Sequence, residues 1–151
     1  MGIKAFLSYS RRNYEKVEPI LELLKGLVPY VDPFIDLGIG AGEPDIPQLQ
    51  EALDKAEIFF VFIDSQPSGP GQTFEVERIV KRTMAGGTQV VVPVLLGEAK
   101  LPPFLEGFEW VKFNELDLPR IQRMLVTHFG DQCPDEWWEI EPVKKAKAVA
   151  V

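Results

Sequence analysis

Short apolar runs alternate with helically spaced apolar positions along this chain. Ile3-Lys4-Ala5-Phe6-Leu7 predicts a strand, closed by the polar stretch Ser8 to Asn13. Val17, Ile20, Leu21 and Leu24 then recur at the spacing of one helix face, with Gly26 as the stop. Pro19 interrupts that pattern, which places it in the first turn or at a kink. Tyr30 to Asp36 predicts a second strand, and Pro33 inside it assigns it to a sheet edge. Leu37 to Asp45 is rich in glycine and turn-forming residues and reads as a loop, before Leu49, Ala52, Leu53 and Ala56 mark a second amphipathic helix. Ile58-Phe59-Phe60-Val61-Phe62-Ile63 is apolar throughout, the signature of a parallel strand buried on both faces. After the loop Asp64 to Gly71 come a helix from Thr73 to Ala85, ended by Gly86-Gly87, and a strand Val90 to Leu96 carrying Pro93. A short fifth strand is expected at Glu109 to Phe113 and a last helix at Leu118 to Phe129. From Asp131 the pattern decays into a tail, so residues 1–130 read as one domain and 131–151 as a linker or docking segment.

Connections too long for hairpins turn this alternation into an α/β fold, a parallel sheet with helices on both faces. Right-handed crossovers favour the flavodoxin-like five-strand order 2-1-3-4-5. In that order the topological switch lies between strands 1 and 3. Ligands bind there, beyond the carboxyl ends of the strands, so the residues delivered to the crevice are Ser8 to Asn13 and Asp64 to Glu75.

Composition narrows the chemistry. At 151 residues and 17.0 kDa, with 46% hydrophobic and 26% charged residues, the chain has the makeup of one folded domain. A net charge of −7 and a pI near 4.8 argue against nucleic-acid binding, which needs a basic surface, though not against a nucleotide held locally. One Cys (Cys133) and one His (His128) supply neither a disulfide nor a Cys/His zinc site. No apolar run approaches the roughly 20 residues that span a bilayer. The expectation is a cytoplasmic protein with no membrane partner.

The first loop, Ser8-Tyr9-Ser10-Arg11-Arg12-Asn13, offers two guanidinium forks that match phosphate oxygens and an aromatic face that stacks on a flat cation. Equally, Arg11 and Arg12 can be solvated while Asn13 caps the next helix. In the second loop Glu75 and Glu77 enter the first turn of a helix, where acids complement the helix dipole. Glu77 lines up with Lys81 as an exposed pair, whereas Glu75 shares a face with Ile79 and turns inward. The run Gly38-Ile39-Gly40-Ala41-Gly42 lacks the dinucleotide-fingerprint spacing and follows the wrong strand. Gly69-Pro70-Gly71-Gln72 lacks the Lys-Ser/Thr of a P-loop. His128, mid-helix beside core positions, reads as structural and leaves a serine hydrolase without its base.

Taken together, Ala5-Phe6-Leu7-Ser8-Tyr9-Ser10 resembles the first box of Toll/interleukin-1 receptor (TIR) domains. Phe34-Ile35-Asp36 with the loop after it is similar to the family's second strand and BB loop, and Val92-Pro93-Val94-Leu95 to its fourth strand. The resemblance implies one of two functions. One is glycohydrolase- or cyclase-type cleavage of NAD+ at the nicotinamide–ribose bond, giving ADP-ribose or a cyclised isomer, as in the family's prokaryotic enzymes; the other is non-catalytic adaptor signalling through homotypic TIR–TIR contact, as in immunity signalling. The family's enzymes commonly carry Trp four residues before the catalytic Glu, and Gly71 stands there instead. Phe74-Glu75-Val76 keeps the aromatic-Glu-aliphatic step, and Gln72 precedes Glu75 by three as in a bacterial variant, so the resemblance assigns the catalytic role to Glu75. It also implies that Tyr9, Ser10, Asp36, Ile39 and Gly40 border the substrate and that Arg11 and Arg12 meet its pyrophosphate. NAD+ would be the substrate, with no cofactor or metal, and a neighbouring TIR domain, in a filament, would complete the pocket. A third possibility within the same fold is a nucleoside deoxyribosyltransferase, which also uses a Glu near strand 3.

Overall fold

The computed structural model describes residues 2–35, 51, 53–66, 76, 78, 81, 83 and 86–140. Five strands, β1 (Ile3–Ser8), β2 (Val31–Ile35), β3 (Ile58–Ile63), β4 (Val90–Leu95) and β5 (Val111–Lys112), pair in parallel in the order β2-β1-β3-β4-β5. This is the flavodoxin-like order that the alternating pattern predicts. β3 is buried along its whole length, as its unbroken apolar run requires.

Two cores lie on the two faces. On one, helix α1 (Tyr14–Lys25) and helix α2 (Leu118–Phe129) bury Val17, Ile20, Leu21 and Leu24, and Ile121, Leu125 and Val126, against Ala5, Leu7, Phe60 and Phe62. On the other, Leu53, Ala56, Val76 and Leu105 pack on Phe6, Phe59 and Val61. Residues 51 and 53–55, and residues 76, 78, 81 and 83, are helical within the two predicted segments. Gly86, at φ 98°, takes the left-handed conformation that favours glycine where the second of them was expected to stop.

Local details add to the expected pattern. Pro19 lies in the interior of α1, not in its first turn. It faces solvent, where the Glu15 carbonyl it leaves without an intrahelical donor is open to water. Tyr30 precedes β2, and β5 is confined to Val111–Lys112, after which the chain turns into a 3₁₀ helix at Phe113–Glu115. Past residue 130 the chain continues in two 3₁₀ helices, Gly130–Gln132 and Asp135–Glu139. Trp137 is buried in the α1-side core and meets the ring of Tyr30 edge-on at 5.5 Å. The Trp138 ring lies so close over Gly130 that a Cβ there would collide with it.

The prolines within strands follow the direction of the ladder. The Tyr30 carbonyl accepts from Ile3 N–H, so alternate residues of β2, Pro33 among them, turn their backbone polar groups to the open edge. Leu96 and Val90 N–H donate toward β3, which aims the Pro93 nitrogen toward β5. The β5 ladder starts only at Val94↔Val111, so Pro93 removes no bond.

Candidate functional site

β1 and β3 are direct neighbours, with register running from Ala5↔Ile58 to Ser8↔Val61. The chain leaves them in opposite directions across the sheet, to β2 and to β4, which makes the space beyond their carboxyl ends the topological switch point, the place where such sheets bind ligands. Two segments border it. Tyr9 and Ser10 lead from β1 into a 3₁₀ turn, Arg11–Asn13, closed by a 2.8 Å bond from Asn13 N–H to the Ser10 carbonyl. Asp64 and Gln66 follow β3.

The two segments are joined by one carboxylate. Arg12 Nε and Nη2 donate to Asp64 Oδ2 and Oδ1 at 2.7 and 2.8 Å, a bidentate pair between residues 52 apart in the chain. Asn13 Nδ2 donates to Oδ2 at 2.9 Å and Gln66 N–H to Oδ1 at 2.9 Å. A further bond, at 3.2 Å, runs from Arg12 Nη2 to the Gln66 carbonyl. Asp64 thus accepts four hydrogen bonds, about the full capacity of a carboxylate. Its side chain is only 15% exposed. The Arg12 guanidinium holds the Asp64 carboxyl well below the usual carboxylate range; Asn13 and the Gln66 N–H act in the same direction and burial opposes them.

The five expected crevice residues after β1, Tyr9 to Asn13, are differently engaged. Tyr9 is half-buried, packed against the α1-side core and tilted at 44° to Tyr14 with ring centroids 6.0 Å apart. Ser10 is buried, and Arg11 is exposed. The fork of Arg12, expected to meet a pyrophosphate, donates to Asp64. Asn13 occupies the N-cap position of α1, yet its side chain makes no capping bond and turns to Asp64 instead. Asp36, Ile39, Gly40 and Glu75 lie outside the described residues, as does Glu77. Lys81 is exposed, as its outward position requires.

Asp64 is the residue that sequence reasoning passed over. Its signal was available: an acid closing an all-apolar strand at a switch point, opposite a loop with two arginines. His128 is corrected to an exposed residue in the last turn of α2 rather than one beside the core. Cys133 is half-buried, and burial raises its thiol. Among the described residues no cluster of three or more His, Cys, Asp or Glu side chains is arranged to hold a metal ion, and no helix is long and apolar enough to cross a membrane.

The sequence model of the TIR domain matches residues 5–125. No curated protein sequence matches the chain. Among solved structures, the chain is similar to the TIR domain of the Toll-related receptor TRR-2 from Hydra magnipapillata. That likeness has a TM-score of 0.54 over 86% of this chain and 98% of the other at 13% identity, a likeness of fold.

Proposed function

The chain belongs to the TIR domain family, and from that premise we propose that it cleaves NAD+ at the nicotinamide–ribose bond with Glu75 as the catalytic carboxylate. The deoxyribosyltransferase reading falls away with the family assignment. The observation that carries the proposal is the step Phe74-Glu75-Val76, whose Val76 is helical and buried against the sheet in the segment after β3. That is the point in the chain at which the family's enzymes keep their Glu.

The reaction asks little of the protein. When the bond from the ribose anomeric carbon to the pyridinium nitrogen breaks, its electron pair neutralises the ring and nicotinamide leaves uncharged. No general acid is needed, unlike in glycosidases that expel an alkoxide. One carboxylate beside the ribose stabilises the oxocarbenium charge while water attacks the anomeric carbon and loses a proton, giving ADP-ribose. The site operates in the cytoplasm and is completed by homotypic contact with a second TIR domain. Because a head-to-tail contact does not close on itself, it builds filaments.

Gly71, where the family's enzymes commonly have Trp, favours a second reading: a non-catalytic module that signals by the same homotypic contact. Nicotinamide release by wild type, Glu75→Gln and Glu77→Gln separates the two. The enzyme reading expects release by wild type and Glu77→Gln, and its loss in Glu75→Gln. Association without release in wild type selects the adaptor, and equal losses from both substitutions refute the assignment to Glu75. Release per domain should also rise with protein concentration; a flat response across a hundredfold dilution of a monomer refutes completion by a neighbour.

A further inference from the structure

We propose that Arg12 is a positioning residue: through Asp64 it ties the carboxyl end of β1 to that of β3 and sets the relative placement of the two segments that border the crevice. Its effect on catalysis rests on the activity proposed above; its effect on the backbone does not.

The argument starts from where the ladder stops. β1 and β3 pair only as far as Ser8↔Val61, while β3 runs on to Ile63 beside β4 alone. Among the described residues no strand pairing joins the two exits beyond Ser8, and Arg12 and Asp64 meet there. The network grips the β3 exit by its backbone as well, since Gln66 N–H donates to Asp64 and the Gln66 carbonyl accepts from Arg12. On the β1 side Asn13, 4% exposed and at the head of α1, anchors the same carboxylate. The planar fork makes the link directional in a way that a lysine point charge cannot. A phosphate taking the Nε–Nη2 edge of Arg12 would have to displace Asp64 from both bonds, so that edge of the fork serves the frame of the crevice.

The test compares wild type, Arg12→Ala, Asp64→Asn, the double variant and Arg12→Lys by two readouts. Amide exchange at Gln66 should quicken about tenfold or more in both single variants, with the double no faster than the faster single, because both break one device. Arg12→Lys, which keeps charge and fold without the fork, should fall between. Nicotinamide release should show kcat lowered about tenfold to a hundredfold in both singles with KM nearly unchanged, as misplacement of a site predicts. Lys55→Ala, which breaks an exposed pair with Glu51, is the control that should change neither. Unchanged exchange at Gln66 overturns the proposal, whatever the activity. So does a raised KM in Arg12→Ala with an unaltered KM in Asp64→Asn, the pattern of a ligand contact. If wild type releases no nicotinamide while exchange follows the expected pattern, the proposed activity fails and the link between the strands stands.

Discussion

The two ends of the sheet each hold an Asp–cation pair, built differently. At the amino end Lys4 of β1 and Asp32 of β2 sit side by side in register and meet at 2.5 Å, with side chains 41% and 55% exposed. At the carboxyl end Arg12 and Asp64 meet at 2.7 Å, with 37% and 15% exposed. Distance ranks the lysine pair first. Surroundings reverse the order: the lysine contact is a single bond between groups water reaches freely, and such pairs add little. Asp64 is shielded, accepts four hydrogen bonds and is shared with the buried Asn13. The amino-end pair decorates strands already held by the ladder, whereas the carboxyl-end pair bridges two segments beyond its last rung. Of these two pairs, the more heavily bonded one lies at the end where α/β sheets bind ligands.

Activity should divide the two ends most sharply. Glu75→Gln is expected to lower nicotinamide release about a thousandfold, the scale of losing a transition-state charge partner, while Lys4→Ala leaves it unchanged. An equal fall in both would erase the distinction.

Stability gives the next contrast. Asp64→Ala strands the buried Asn13 amide and should cost about 1–3 kcal/mol in urea unfolding, the penalty for an unsatisfied buried group. Asp32→Ala, at the other end, should leave the unfolding midpoint almost where it was.

Acid should find the same asymmetry. Because the folded state holds the Asp64 carboxyl below its unfolded value, its contribution is fully present above the unfolded pKa of about 4 and is lost as pH falls through the folded value. The stability gap between wild type and Asp64→Asn should be constant near neutrality and close below about pH 4. A gap that widens on acidification would show that Asp64 is not ionised through its pairing with Arg12.

Salt should show the smallest difference. Raising sodium chloride to about 1 M shortens the screening length to about 3 Å, so any stability lost on Lys4→Ala should vanish there while the cost of Asp64→Ala largely persists. Equal sensitivity of the two would mean that Asp64 is as open to solvent as Asp32.

The sequence by itself determined the strand order, the place of the switch point and the faces of α1 and α2, because each follows from the period of apolar residues within a short window. It also brought Ser8 to Asn13 and the segment from Asp64 onward to the switch point, since topology alone delivers those segments there. What a linear pattern cannot hold is which of two adjacent arginines turns to which acid 52 residues away. Arg11 and Arg12 are indistinguishable by spacing, and Asn13 has the composition of a helix cap whether or not it makes the cap bond. Only the juxtaposition of β1 and β3 gives Arg12 and Asn13 a shared carboxylate that outcompetes water and the helix N-terminus. The prolines divide in the same way: Pro33 announces an edge locally, whereas Pro93 is harmless only because β5 begins one residue too late to need its N–H. Periodicity is a property of neighbours in sequence, while hydrogen-bond satisfaction is a property of neighbours in space.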